Sequence, residues 1–316
     1  MNSAAEGGSV GALGTFGWLL QPAPFTAYPW AAVLGLLLVL VGLTVGALFV
    51  GIPRFRAWWN DDTPRPGEDE RGVSTEEMTL VQHLLELRTA LMHSAYALAG
   101  GLVLTGPFFQ FWFDLAIRPA MGRGNCGPEG HRPAPLETCL QAISPTEQVF
   151  AYFKVTLVLA LVLAMPIIAW EIWKYVAPGL TRQERKWVIA IIPGATLCFI
   201  LGISFAYFAL LPPALGFLLE FGTVKINPTV DSYISFFWRL TVAIGLVFQM
   251  PLVMFVLAKF RIVNAKLLTS IRRYVVVGAF IVAAVVTPTP DPFNQILVVV
   301  PILVLYEIGA LLTRFA

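Results

Sequence analysis

The sequence predicts an all-α polytopic membrane protein: a cupped bundle of six core helices, with one extra N-terminal transmembrane helix ahead of it. Three observations carry this. Of 316 residues, 57% are hydrophobic and only 13% charged, with a mean hydropathy of +0.75. A soluble domain cannot hide that much apolar surface. Apolar runs of membrane length recur between polar turns, and the basic residues collect on one side once the runs alternate in direction. The net charge of +2 says little, because its distribution matters more than its sum.

Taken in order, residues 1–28 carry no Lys or Arg and are rich in Gly, Ala and Ser, the composition of a disordered tail. The apolar run in 29–53 lacks the positive n-region of a secretory signal peptide. Arg54 and Arg56 follow it, so residue 1 is placed outside. Residues 54–75 form an inner linker with prolines and mixed charges, in which Ser74-x-x-Glu77 reads as a capping box. The core occupies 76–316. Its first helix starts amphipathic, with Met78, Val81, Leu84, Leu85 and Leu91 on one face and His83 and Glu86 on another. It turns fully apolar over about Thr89–Phe113. Residues 114–148 form a polar outer loop.

The next span, about Ala151–Trp173, organises the chain. Trp170, Trp173 and Tyr175 cluster at its end, where amphipathic rings prefer the interface. Pro178-Gly179 stops the helix. The turn Thr181–Lys186 is too short for a domain, and the chain goes straight back through the membrane. Further spans read as about Trp187–Leu211, ended by Pro212-Pro213; Ile234–Phe260, with Pro251 inside; Tyr274–Thr287, after a basic turn Lys259–Arg273; and Phe293–Leu312. The run from Tyr274 reaches only about 21 Å at ~1.5 Å per residue, so it must draw polar flanks inward or thin the bilayer. Pro166, Pro193, Pro251 and Pro301 each remove a backbone hydrogen bond and bend a span, which predicts the concave wall.

With these spans, fifteen of the 21 basic residues fall inside and six outside. Both ends of the core are therefore cytoplasmic and the extreme N-terminus lies outside. No His/Cys cluster has metal-ligand spacing, and there is no phosphate loop, nucleophile elbow or basic-aromatic strip for nucleic acid. Neither metal, cofactor nor enzymatic activity is expected.

Several motifs resemble the TatC family, the core of the twin-arginine protein translocase. They are HLLELR (His83–Arg88), SPTE (Ser144–Glu147) and the run from Pro166 through Pro178-Gly179-Leu180 to Glu184-Arg185-Lys186. FAYF (Phe205–Phe208), TPTPD (Thr287–Asp291) and YEIG (Tyr306–Gly309) join them. The likeness covers about residues 76–316. It implies a bacterial cytoplasmic-membrane receptor that docks the twin-arginine signal peptides of folded cargo, self-associates, and assembles with TatA-type and TatB-type subunits. Transport would be driven by the proton-motive force.

The resemblance assigns the recognition acids to Glu86 and Glu184, with His83, Arg88, Tyr175 and Arg185 around them. Two guanidiniums need acids, and Arg–carboxylate pairs can be bidentate and charge-assisted. Plainer readings stand beside these: Thr181-x-x-Glu184 is itself a capping box, Glu86 an ordinary interfacial acid, and Arg88 a topogenic or headgroup-binding charge. Tyr175 stands where the family commonly has phenylalanine, and Gln249 in FQMP where it usually has an acid. Gln249 then reads as a polar contact on the concave face or as a helix–helix hydrogen bond. Glu171 and Glu307 are intramembrane acids and so candidates, Glu171 more simply pairing with Lys174. Cys126 and Cys139 share the outer loop, in a compartment that permits a disulfide; two free thiols are the other reading. A small-solute secondary transporter is the competing function, though no repeated halves are seen.

Overall fold

A chain in lipid must satisfy its backbone hydrogen bonds within itself, and helices do this locally. In the computed structural model, residues 80–121, 140–176, 188–220, 228–260, 263–287 and 291–314 are described. They lie within one unit, Leu38–Ala316. The extra N-terminal span, the linker with its capping box, and the cysteine-bearing loop lie outside them. The helices are α1 (Leu80–Thr105), α2 (Phe109–Met121), α3 (Pro145–Val176), α4 (Val188–Phe205), α5 (Leu211–Glu220), α6 (Val230–Val247), α7 (Met250–Lys259), α8 (Ala265–Val286) and α9 (Pro292–Leu312). They group into six apolar spans: Leu84–Ala120, Pro145–Tyr175, Ile191–Leu218, Val230–Lys259, Lys266–Val286 and Pro292–Leu312.

The breaks inside spans have identifiable causes. Pro107 sits in a 3₁₀ turn, Gly106–Phe108, that joins α1 to α2. Pro251 follows the Phe248–Gln249 turn between α6 and α7. Pro166, Pro193 and Pro301 are accommodated within continuous helices.

Three boundaries differ from the sequence expectation. The first core span continues through α2 to Met121, well into the expected loop. Pro212-Pro213 does not end the third span: a π turn at Ala206–Leu210 precedes it, and the helix goes on to Glu220. A wider turn can accommodate carbonyls whose i+4 partners are prolines. The basic turn after α7 is shorter than expected, because α8 begins at Ala265 and carries Lys266, Arg272 and Arg273 within the helix.

Apolar burial does not hold helices together against lipid, so close approach and polar joints must. At Gly101 an added Cβ would lie 2.7 Å from the Ala160 carbonyl oxygen, so α1 and α3 touch backbone to backbone. At Gly202 it would lie 2.9 Å from the Gly245 Cα, marking the α4–α6 crossing, where Phe199 is fully buried. Thr229 caps α6 by accepting from the Ser232 N–H, and Asp291 caps α9 from the Asn294 N–H at 2.7 Å. A parallel bridge, Gln141 to Thr229, ties the segments that precede α3 and α6.

Candidate functional site

The site is built on the antiparallel pair α1 and α3. Its register can be read from the contacts. Thr105 Oγ1 reaches the Thr156 carbonyl at 3.5 Å, Gly101 meets Ala160, and His93 Nδ1 lies 3.3 Å from Glu171 Oε1. Fifteen residues back from Gly101 is Glu86, and fifteen on from Ala160 is Tyr175. Equal rise along two helices therefore puts these two at the same level, at the rim where α1 begins and α3 ends.

Glu86 and Arg88 are exposed there, and Tyr175 is half-buried. Glu86 makes no ion pair with any described residue. Two positions apart on a helix, it and Arg88 point in different directions. His83 occupies the first turn of α1. Glu184 and Arg185 lie outside the described residues, so the structure brings together only the α1 and α3 members of the expected set.

Glu171 is buried, one turn before Tyr175. It has two partners: Lys174 Nζ at 3.9 Å, the expected local pair, and His93 from α1. Sequence reasoning missed His93. A histidine inside an otherwise apolar stretch, two turns above Glu86, was the available signal.

Gln249 donates from Nε2 to the Ala195 carbonyl at 2.9 Å, linking the α6–α7 turn to α4. Glu307 pairs with Arg272 at 2.5 Å across α8 and α9. Next to it the Tyr306 hydroxyl donates to the Leu268 carbonyl at 2.6 Å. Gly309 completes that motif: a Cβ there would lie 2.6 Å from the Met254 sulfur.

Other motifs also act as joints. In SPTE, Ser144 Oγ accepts from the Thr146 N–H and Glu147 Oε2 from the Ile143 N–H, so the motif caps α3 with a proline in first position. In FAYF, Tyr207 rides on the π turn and donates to the Leu115 carbonyl at 2.7 Å. Pro119 removes the helical N–H that would otherwise serve that carbonyl. Tyr233 donates to the adjacent Ala116 carbonyl.

Six apolar spans joined by such polar contacts, with an exposed acid at one rim, define a multi-pass helical membrane protein. Among the described residues no three His, Cys, Asp or Glu side chains group as a metal site.

A family model described as "Sec-independent protein translocase protein (TatC)" matches residues 82–301. The Sec-independent protein translocase protein TatC of Carboxydothermus hydrogenoformans is 35% identical over 77% of this chain and 96% of that relative. Its counterpart from Aquifex aeolicus is 36% identical over 76% of this chain and 96% of that relative. A crystal structure of a twin-arginine translocase receptor TatC superposes with a TM-score of 0.64 at 34% identity, covering 74% of this chain and 98% of that one. The chain belongs to the TatC family of Sec-independent protein translocase proteins, and it is a transport component.

Proposed function

We propose that this chain docks the paired arginines of a twin-arginine signal peptide at its cytoplasmic rim and nucleates a translocon with TatA-type and TatB-type subunits in a bacterial cytoplasmic membrane. Self-association and the proton-motive force would complete the transport cycle, with no catalytic step in this subunit. The observation that carries the reading is Glu86: an exposed carboxylate at the rim, level with Tyr175, with no ion-pair partner among the described residues. A guanidinium arriving there can form a charge-assisted pair at the edge of a low-dielectric layer, where it is worth more than in bulk water. Glu184, between α3 and α4 in the sequence, supplies the second acid in this reading, with Arg185, Arg88 and His83 shaping the surroundings.

The intramembrane acids Glu171 and Glu307 each have cationic or imidazole partners from within the bundle. That is the arrangement of helix joints, and it favours a receptor over a small-solute transporter. Both ends of the core face the cytosol in this reading.

Export of a folded reporter in cells lacking their own C subunit tests it. Wild type restores export, while Glu86→Ala and Glu184→Ala each reduce it, and together they abolish it. Wild-type export by the double variant would overturn the proposal.

A further inference from the structure

Most polar residues inside the spans join helices other than the α1–α3 pair: Gln249 to Ala195, Tyr207 to Leu115, Arg272 to Glu307. One cluster sits directly beneath the candidate site. Glu171 is 8% exposed on α3, and its two carboxylate oxygens face different partners. Oε1 faces His93 Nδ1 on α1 at 3.3 Å, and Oε2 faces Lys174 Nζ on its own helix at 3.9 Å.

Two further facts give this cluster a direction. Along α1, His93 lies seven residues from Glu86, about 10 Å at ~1.5 Å per residue, and close to the same face of the helix. Along α3, Glu171 lies four residues from Tyr175, again on one face. Each member of the pair is thus attached, through one or two helical turns, to one of the two rim residues at matching height.

Further along the same seam Gly101 meets the Ala160 backbone, and Thr105 Oγ1 reaches the Thr156 carbonyl. Small-residue packing sets how closely the two helices approach. A buried carboxylate is different: it is costly to leave without its partner, so it selects one register.

We infer that His93 and Glu171 are positioning residues for signal-peptide recognition: the pair clasps α1 to α3 beneath the rim and sets Glu86 against Tyr175. Neither residue touches the leader. The clasp acts by holding the rim acid level with Tyr175, the placement on which the proposed docking relies. This rests on the docking role proposed above for Glu86. Lys174 holds the second oxygen of Glu171, so the carboxylate stays oriented when His93 is removed, and the two partners are separable by mutation.

The test measures binding of a twin-arginine signal peptide, and of its twin-lysine counterpart, to the purified full-length chain in detergent. Glu171→Gln and His93→Ala each reduce the preference for arginine by about tenfold, the scale of a network interaction. The double variant is no worse than either single one. The exchanged pair, His93→Glu with Glu171→His, restores the preference to within about twofold, which loss of general stability would not do. Circular dichroism of the same samples holds helix content constant.

Three results would sink the clasp. One is an unchanged preference in Glu171→Gln alongside a lost preference in a Glu86→Gln control. Another is additive losses in the double variant, and the third is no rescue by the exchanged pair. In all three the docking role of Glu86 survives. If Glu86→Gln also keeps the full preference, the docking reading itself falls.

Discussion

Consider Gly101→Ala. The α1–α3 pair carries the candidate site, and its closest approach is at this glycine. The new methyl would meet the Ala160 oxygen at 2.7 Å, its Cα at 3.0 Å and its carbonyl carbon at 3.2 Å. All three are backbone atoms of a helix, so no side-chain rotation relieves the clash, and α1 must move away from α3. Overpacking of this kind costs about 1–3 kcal/mol. Gly100→Ala provides the reference, because a Cβ there meets nothing within 4 Å. Both substitutions gain the same helix propensity, about 0.5–1 kcal/mol, so their difference isolates the contact. At roughly 2–4 °C per kcal/mol, the Gly101 variant should unfold several degrees below the Gly100 variant. Thermal unfolding of the two purified proteins in one detergent, followed by circular dichroism, reads this directly. Equal midpoints would mean that α1 and α3 are not in backbone contact, and the register that places Glu86 level with Tyr175 would lose its anchor.

Tyr207→Phe removes the donor to Leu115 and should cost about 1–2 kcal/mol; in a Pro119→Ala background the cost should shrink, because the helical N–H returns, and denaturant titration of the four proteins checks the cycle. Glu307→Ala and Arg272→Ala should each destabilise the α8–α9 pair with a coupling of about 0.2–1 kcal/mol, since both side chains are half-exposed; strictly additive effects in a double-mutant cycle would dissolve the pair. Glu86→Gln should abolish cross-linking of a twin-arginine leader at the rim while leaving the unfolding midpoint unchanged, which separates recognition from stability. Non-reducing peptide mapping of the intact protein should yield Cys126 and Cys139 in one cross-linked fragment; two singly alkylated peptides would argue for free thiols.

Much of the architecture was legible beforehand for a simple reason. An apolar run of about 20 residues in lipid has one way to satisfy its backbone, so the six core spans follow from hydropathy alone. The motifs were legible as a set, but not their physical roles. SPTE turned out to be a helix cap, FAYF a π turn carrying a tyrosine donor, and YEIG a three-part joint of hydroxyl, carboxylate and close-approach glycine. Proline misled at Pro212-Pro213, where a helix stop was expected: local sequence reports that a proline lacks its N–H, but not that the preceding turn has widened to accommodate it.

By itself, then, the sequence determined the number of core spans, the family, and the candidacy of Glu86 at the start of the first core helix, because each depends on local composition or on a contiguous motif. The tertiary structure decided which polar groups meet: His93 with Glu171, Tyr207 with Leu115, Gln249 with Ala195. Those meetings depend on the register and rotation of one helix against another. Register is set by a few contacts, such as Gly101 on Ala160 and His93 on Glu171, between residues far apart in the chain, and no periodicity within either helix encodes it.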